Sequence, residues 1–526
     1  MAAVSSIRFS SHLLRSIKRQ IREVRGPEDE EVEAYYRPYS DFFRHRSAVS
    51  VEPSVFLAEC KLSSLILVGD FHTLDQAQKT FLWILEEMGK SRIRPIVVLE
   101  MVLARHDTPL LHYIRGKIGE LEFLEQTRYF DNWGFDFSHY EPIFAYARRW
   151  KLAVHGLNQG QSLCYRDHFM AHRLKHLRDR YPGQPLLVLV GDLHLAPAHL
   201  PRELAQVGFA RPLVLFQNSE AVYMRKLRNG VNPSGWFRLG GGRYLVNNTP
   251  PWVKMQTFLT WLEHGGEALC QMYGFCRRGE DPEEAPDLTD TVVRYLDALA
   301  NLLQVRQAPP PDFEVYTFRS LEFLQDPYFK RGAGRRFAAL VRDGRSVYIH
   351  QHQILYVPEL DLNRTVEEAM HFLMHRGFRT RSSPIAFMAR IHYYASGFLA
   401  SKLINPLRKT PNESQMRDFL SSFHTLAREK DRVKLGRQAL VFSRAIEFFR
   451  LMRQPLGIAR LELEPMLLAD WKTLYGLSQQ IGYTLGLELY ERFDRGELSA
   501  LDLRRYAFEQ QDPLLFHGLR SEAKVS

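Results

Sequence analysis

Two apolar runs in this chain end in the same polar phrase. Leu65-Ile66-Leu67-Val68 leads into Gly69-Asp70-Phe71-His72, and Val188-Leu189-Val190 leads into Gly191-Asp192-Leu193-His194. A short apolar run closed by Gly reads as a buried strand. Each strand then delivers an Asp and a His just past its carboxyl end, the edge of an open parallel sheet at which ligands bind. A single copy reads as a strand-to-helix turn in which Asp caps the helix. The same phrase twice, a domain's length apart, suggests two strand ends aimed at one site.

A third run strengthens this reading. Ile96–Leu99 ends in Glu100, and a carboxylate there is costly unless it is paired, protonated or set in a cleft. Three adjacent strand ends would offer the carboxylates of Asp70, Glu100 and Asp192 and the imidazoles of His72 and His194. Such a set can bind a divalent transition metal through His72, Glu100 and His194, with a bound water as nucleophile. It can also activate water through a His oriented by an acid, without metal. A second layer comprises Trp133, Tyr140, Asn158 at the end of the run Leu152–Leu157, and Arg166-Asp167 at the start of a helix. Arg166 can orient a carboxylate or hold an anion bidentately, and the aromatics suit a flat apolar ligand. Each also has a plain structural reading, as core aromatic, turn residue or surface cation.

The 526 residues exceed a single core. Strands at Leu65–Val68, Ile96–Leu99, Leu152–Leu157, Leu186–Val190 and Leu213–Phe216 alternate with helical patterns at Leu74–Met88, Leu110–Leu124, Tyr140–Trp150 and Tyr165–Arg180. That order predicts an α/β domain with a mainly parallel sheet flanked by helices. Residues 1–50 read as a basic amphipathic extension, in which Arg8, Arg15, Lys18, Arg19, Arg22 and Arg25 stand against the single acid Glu23 over residues 1–26, and Leu13, Leu14, Ile17, Ile21 and Val24 fall at helical spacing. The α/β domain is expected over 51–228 and a Gly-rich linker over 229–250. A mostly α-helical region follows over 251–526, with a small β-hairpin in which Phe337–Val341 and Val347–His350 flank Asp343-Gly344-Arg345. In that region Glu367, His371 and His375 share one helical face, which without a second Glu-x-x-His reads as a helix–helix contact rather than a di-iron site.

The formal charge of +10 is spread along the chain, and no zinc-finger, RNA-recognition or Walker pattern is present, so nucleic acid is not an expected partner. Cys60, Cys164, Cys270 and Cys276 lack zinc-ligand spacing. Cys270 and Cys276 are able to pair, and buried free thiols fit equally well. The N-terminus has no signal-peptide core, and no segment is apolar enough to span a bilayer. A cytoplasmic location is expected. The N-terminal helix either packs on its own protein or contacts a membrane surface peripherally. No motif fixes an oligomeric state.

The order of these motifs resembles the ChaN-like branch of the Tiki/TraB/erythromycin-esterase superfamily. Gly-x-x-His follows a first strand, Glu100 a second and Asn158 a third. Arg166-Asp167 then starts a helix, and a second Gly-x-x-His closes the set. The Trp133–Pro142 stretch and His194-Leu195 followed by Leu200-Pro201 also resemble ChaN-like proteins, and the likeness covers about residues 55–225. It implies haem binding or iron uptake for ChaN-like members, metal-dependent peptide cleavage for Tiki relatives, and hydrolysis by a His and a Glu for esterase relatives. The family's motif carries over to Gly69, His72, Glu100, Gly191 and His194. Where family members usually place Glu two residues before the first His, this chain has the shorter Asp70. The family implies a Tyr ligand to haem iron, for which Tyr140 is the candidate and His139 and Tyr129 are neighbours. The leading expectation is a cofactor-binding protein whose ligand is haem or iron. A metal- or His/Glu-dependent hydrolase is the rival, and a non-catalytic scaffold with a partner on its helical half is the third reading.

Overall fold

The computed structural model describes residues 2–26, 30–159, 163–273, 288–305, 313–317, 320–358, 361–374, 384–426, 432–452 and 470–509. The chain forms two compact units, His12–Pro282, and Met1–Ser11 together with Glu283–Ser526.

The first unit is an eight-stranded, mostly parallel sheet in the order β1-β7-β8-β6-β2-β5-β3-β4. The strands are β1 Val49–Val51, β2 Leu65–Asp70, β3 Ile96–Leu103, β4 Val154–Asn158, β5 Leu186–Gly191, β6 Leu213–Gln217, β7 Gly235–Gly240 and β8 Arg243–Asn247. Strands β2, β3 and β5 are buried along their whole length, as expected for parallel strands covered on both faces. Successive side chains enter opposite layers. Ile66, Val68, Val97, Leu99, Leu187 and Leu189 join one core. Leu65, Leu67, Ile96, Val98, Leu186 and Val188 join the other.

The strands expected from sequence all form, with shifted ends. The expected helix over Leu110–Leu124 is instead two helices, Asp107–Ile114 and Glu120–Thr127. Gly116, at φ +68°, turns the chain between them. The expected linker over 229–250 is corrected by the structure. It holds β7 and β8, which pair antiparallel with each other, and β8 extends the sheet parallel to β6. Gly240, Gly241 and Gly242 all have positive φ and form the hairpin turn, where only glycine sits without strain.

Two helices precede the sheet, α1 (Ala2–Arg25) and α2 (Glu30–Arg44). Leu13, Leu14, Ile17 and Ile21 of α1 are buried, so this stretch packs on its own protein. Tyr35, Tyr39 and Phe43 of α2 are buried as well.

In the second unit, helix Pro384–Ile404 packs between helices Leu362–Leu373 and Trp471–Asp494. A three-stranded sheet, β10-β11-β9, accompanies them. The hairpin is displaced from its expected register. Phe337–Val341 lies in helix Gly332–Arg342, and β10 (Val347–Ile349) pairs antiparallel with β11 (Ile354–Tyr356). Strand β9 (Glu314–Tyr316) runs parallel to β11. His371 is fully buried between helices, with Nδ1 on Glu368 at 3.0 Å and Nε2 on the Tyr393 carbonyl at 2.9 Å, a packing role. His375, Cys276 and the side chains of Cys164 and Cys270 lie outside the described residues, and Cys60 is a buried free thiol.

Candidate functional site

Strand β5 lies between β2 and β3, with Asp70 opposite Gly191 and Leu99 opposite Leu189. The Gly-Asp-x-His phrases therefore sit side by side, with Glu100 on the neighbouring strand. Gly191 is their meeting point. A Cβ there would lie 3.3 Å from Glu100 Oε2, 3.4 Å from His194 Cδ2 and 3.4 Å from His72 Cε1. A Cβ on Gly69 would collide with Asp192 Oδ1. Each glycine thus leaves room for a side chain of the other phrase.

The histidines differ in their partners. His194 is buried between two carboxylates, with Nδ1 2.6 Å from Asp167 Oδ1 and Nε2 3.4 Å from Glu100 Oε1. Tyr35 donates to Asp167 Oδ2 at 2.7 Å and lies 2.7 Å from His194 Nδ1. Burial opposes protonation of His194, but Glu100 and Asp167 outweigh it and raise its pKa to about 9. Burial likewise opposes ionisation of Glu100, yet His194, His72 and the Gly191 N–H, which donates at 2.6 Å, lower it to about 2. Near neutral pH this is an imidazolium–carboxylate pair. Both ring nitrogens of His194 thus face carboxylates.

His72 has one carboxylate. Its Nδ1 is 2.9 Å from Asp70 Oδ2, and its ring packs against Trp133 and Phe135 with centroids 4.4 and 4.8 Å away. The side chain is 24% exposed, which leaves Nε2 as the ring nitrogen able to meet a ligand. Burial works against its protonation, and Asp70 more than compensates, so the net shift is upward. Asp70 is fixed by Tyr140, which donates at 2.8 Å, and by Gln78, which donates at 2.5 Å.

Four sequence expectations are corrected here. Tyr140 is 1% exposed, and its hydroxyl lies between Asp70 and the Trp133 indole N–H. Burial and Asp70 push its pKa well up, and its hydroxyl is engaged in holding Asp70. Asp192 accepts hydrogen bonds from Tyr39 and from the Gln217 N–H at 3.1 Å. Its carboxylate fastens α2 and β6 to the turn after β5. Asn158 ends β4 and accepts from the Gln159 N–H at 2.7 Å, away from the cavity wall. His72, Glu100 and His194 do converge, but as paired charges. Among the described residues no three His, Cys, Asp or Glu side chains are grouped to hold a metal ion. Arg166 does reach the cluster, 3.8 Å from Glu100 Oε1.

Above the cluster is a cavity of about 1480 Å³, bounded by His72, Glu100, His194 and Arg166 together with residues of α1, α2 and helix Pro251–Tyr273. Sequence reasoning did not place Tyr35, Tyr39 or Lys254 here. Lys254 is buried, its Nζ 3.2 Å from the Asn218 carbonyl and 4.4 Å from the Phe71 ring centre. Burial lowers its pKa. No periodic signal in the chain announces contacts between residues so distant in sequence.

The first unit is thus an α/β domain with acid–histidine pairs and a large cavity at the carboxyl edge of a mostly parallel sheet. Residues 56–165 match the family model described as "Haem-binding uptake, Tiki superfamily, ChaN". The match spans β2 to β4 and supports the ChaN-like assignment made from the motifs, while α1, α2, the second Gly-Asp-x-His and Lys254 lie beyond it. No curated protein and no solved structure matches the chain. Among the described residues no helix is long and apolar enough to cross a membrane.

Proposed function

We propose that the sheet-bearing unit binds a haem-class cofactor in the cavity at the carboxyl edge, with His72 Nε2 as the ligand-facing donor. The observation that carries this is the division of labour between the histidines. His194 spends both ring nitrogens on Asp167 and Glu100, whereas His72 spends only Nδ1 on Asp70. The residues fit the group. A haem site needs an axial donor and an apolar slot. The cavity offers His72 and the aromatic rings of Phe71, Phe135 and Phe258, and it exceeds the roughly 300–1,000 Å³ of ordinary ligand pockets. When bound, haem supplies an iron centre for ligand exchange or redox chemistry. The protein's part is to orient His72 through Asp70 and Tyr140 and to keep Arg166 and the His194–Glu100 pair in place. Hemin titration of the full chain tests this. Wild type and Tyr140→Phe are expected to shift the Soret band, and His72→Ala to lose the shift. No shift in wild type, or an unchanged shift in His72→Ala, overturns the assignment.

The Asp70–His72 pair also favours a second reading. An imidazole oriented by a buried carboxylate is a general base for water, which makes hydrolysis the alternative chemistry for this edge. Turnover on an ester panel that disappears in His72→Ala, without a hemin signal in wild type, would select it.

A further inference from the structure

The cavity's outer wall is not provided by the stretch that matches the family model. It is the basic face of α1. Arg15, Lys18, Arg19, Arg22 and Arg25 recur every three or four residues, so they share one side of the helix. All five bound the cavity, while Leu13, Leu14, Ile17 and Ile21 on the other side are buried.

The acids that bound the same cavity are already engaged. Asp70 serves His72, Tyr140 and Gln78. Glu100 serves His194 and the Gly191 N–H. Asp192 accepts from Tyr39 and Gln217. Glu220 is 2.6 Å from Lys18 Nζ. Arg19 lies 3.8 Å from Glu23, but both are well exposed and the pair is weak. Arg15 and Arg22 bound the cavity beside them, and Lys254 lies on the wall formed by helix Pro251–Tyr273. Guanidinium groups bind carboxylates and phosphates bidentately, and a low-dielectric cleft concentrates their field. Below them the wall turns apolar, through Phe71, Phe135 and Phe258.

We infer that the cavity selects an amphiphile with an anionic end, held by the arginine row of α1, and an apolar body lying on the phenylalanines toward His72. This rests on the reading of the cavity as a ligand site, but not on haem as the ligand. A fatty acid, a lipid phosphate and a tetrapyrrole dicarboxylate share the required chemistry.

Two fluorescent probes with a common aryl body test it on the full chain. 1-Anilinonaphthalene-8-sulfonate carries an anionic end, and N-phenyl-1-naphthylamine does not. Wild type is expected to bind the sulfonate at least about tenfold tighter, a difference of about 1.4 kcal/mol, with salt weakening only the sulfonate. In the Arg15→Gln/Arg19→Gln/Arg22→Gln variant, whose three positions are exposed, the ratio should fall toward one while the neutral probe binds as before. Equal binding of both probes by wild type, binding of neither, or selectivity that survives the triple substitution overturns the inference. Displacement by palmitate, by hemin and by inorganic phosphate then separates the sources, and phosphate displacing as well as palmitate overturns the need for an apolar body. The two readings fail separately: a wild type that prefers the sulfonate but gives no Soret shift with hemin overturns the haem reading alone, and one that shifts the Soret band without preferring the sulfonate overturns this inference alone.

Discussion

At the scale of the residue, two sequence copies of one phrase have diverged in chemistry because their surroundings differ. His194 sits between Glu100 and Asp167, whereas His72 pairs with Asp70 and feels Glu100 only at longer range. A pH dependence follows for the first pair. The pKa of His194 rises from 6.5 to about 9 on folding. Its contribution to stability is therefore full below pH 6.5 and lost as pH rises through about 9. Glu100 falls from 4.5 to about 2, so its contribution is full above pH 4.5 and lost as pH falls through about 2. The pair stabilises most between these limits, from about pH 4.5 to 6.5. Removing one member of a buried pair costs about 3–5 kcal/mol. His194→Gln should lower the unfolding free energy from denaturant titration by that order and remove the decline between neutral pH and pH 9. An NMR titration of His194 with a midpoint near 6 would contradict the assignment. The identity of the two phrases was plain in the sequence, but their inequality was not. It is imposed by Asp167 and Tyr35, which reach the site from helices whose own patterns show only ordinary amphipathic packing.

At the scale of the element, short apolar runs marked β2, β3, β5 and β6, those of β2 and β5 closed by glycine, because parallel strands covered on both faces read as continuous apolar stretches. The same logic failed at 229–250. There the glycines turn a hairpin whose first strand, β7, alternates in burial, and the turn's composition is that of a linker. It also failed at Phe337–Val341, where a short apolar run belongs to a helix, an ambiguity inherent in such runs. In the helical unit, glycine has a different use. A Cβ on Gly482 would lie 2.7 Å from the Ile391 carbonyl and 2.6 Å from Tyr394 Cβ, and Gly486 abuts the Ala395 carbonyl. These two positions, one turn apart, let helix Trp471–Asp494 approach the backbone of helix Pro384–Ile404. Gly482→Leu should destabilise this unit by about 1–3 kcal/mol, the usual cost of overpacking. Thermal melts should show it, with probe binding by the folded protein at low temperature unchanged. A melting temperature equal to wild type would mean the helices do not pack this closely.

At the scale of the whole molecule, every described residue that bounds the cavity, from His12 to Phe258, belongs to the sheet-bearing unit. Ligand binding should therefore act on that unit's own unfolding equilibrium. A ligand at a hundred times its dissociation constant adds about 2.7 kcal/mol to the state that binds it. Hydrogen exchange is the measurement suited to this, because it reports opening segment by segment. With the sulfonate probe or hemin at saturation, amides in α1 from His12 onward, in α2, in the turn Asp192–Leu195 and around Lys254 should slow. Those of helices Pro384–Ile404 and Trp471–Asp494 should exchange as in the free protein. The protection of α1 is the discriminating part. Its basic face was legible as a pattern in the sequence, but a basic amphipathic helix suits a membrane surface as readily as a cavity wall. Only the burial of Leu13, Leu14, Ile17 and Ile21 assigns its apolar side to the protein and turns the arginines toward the site. Ligand-induced slowing that spared α1 would show that the arginine row is not part of the binding wall. Slowing that spread through the helical unit would show that the cavity does not act within its own unit alone.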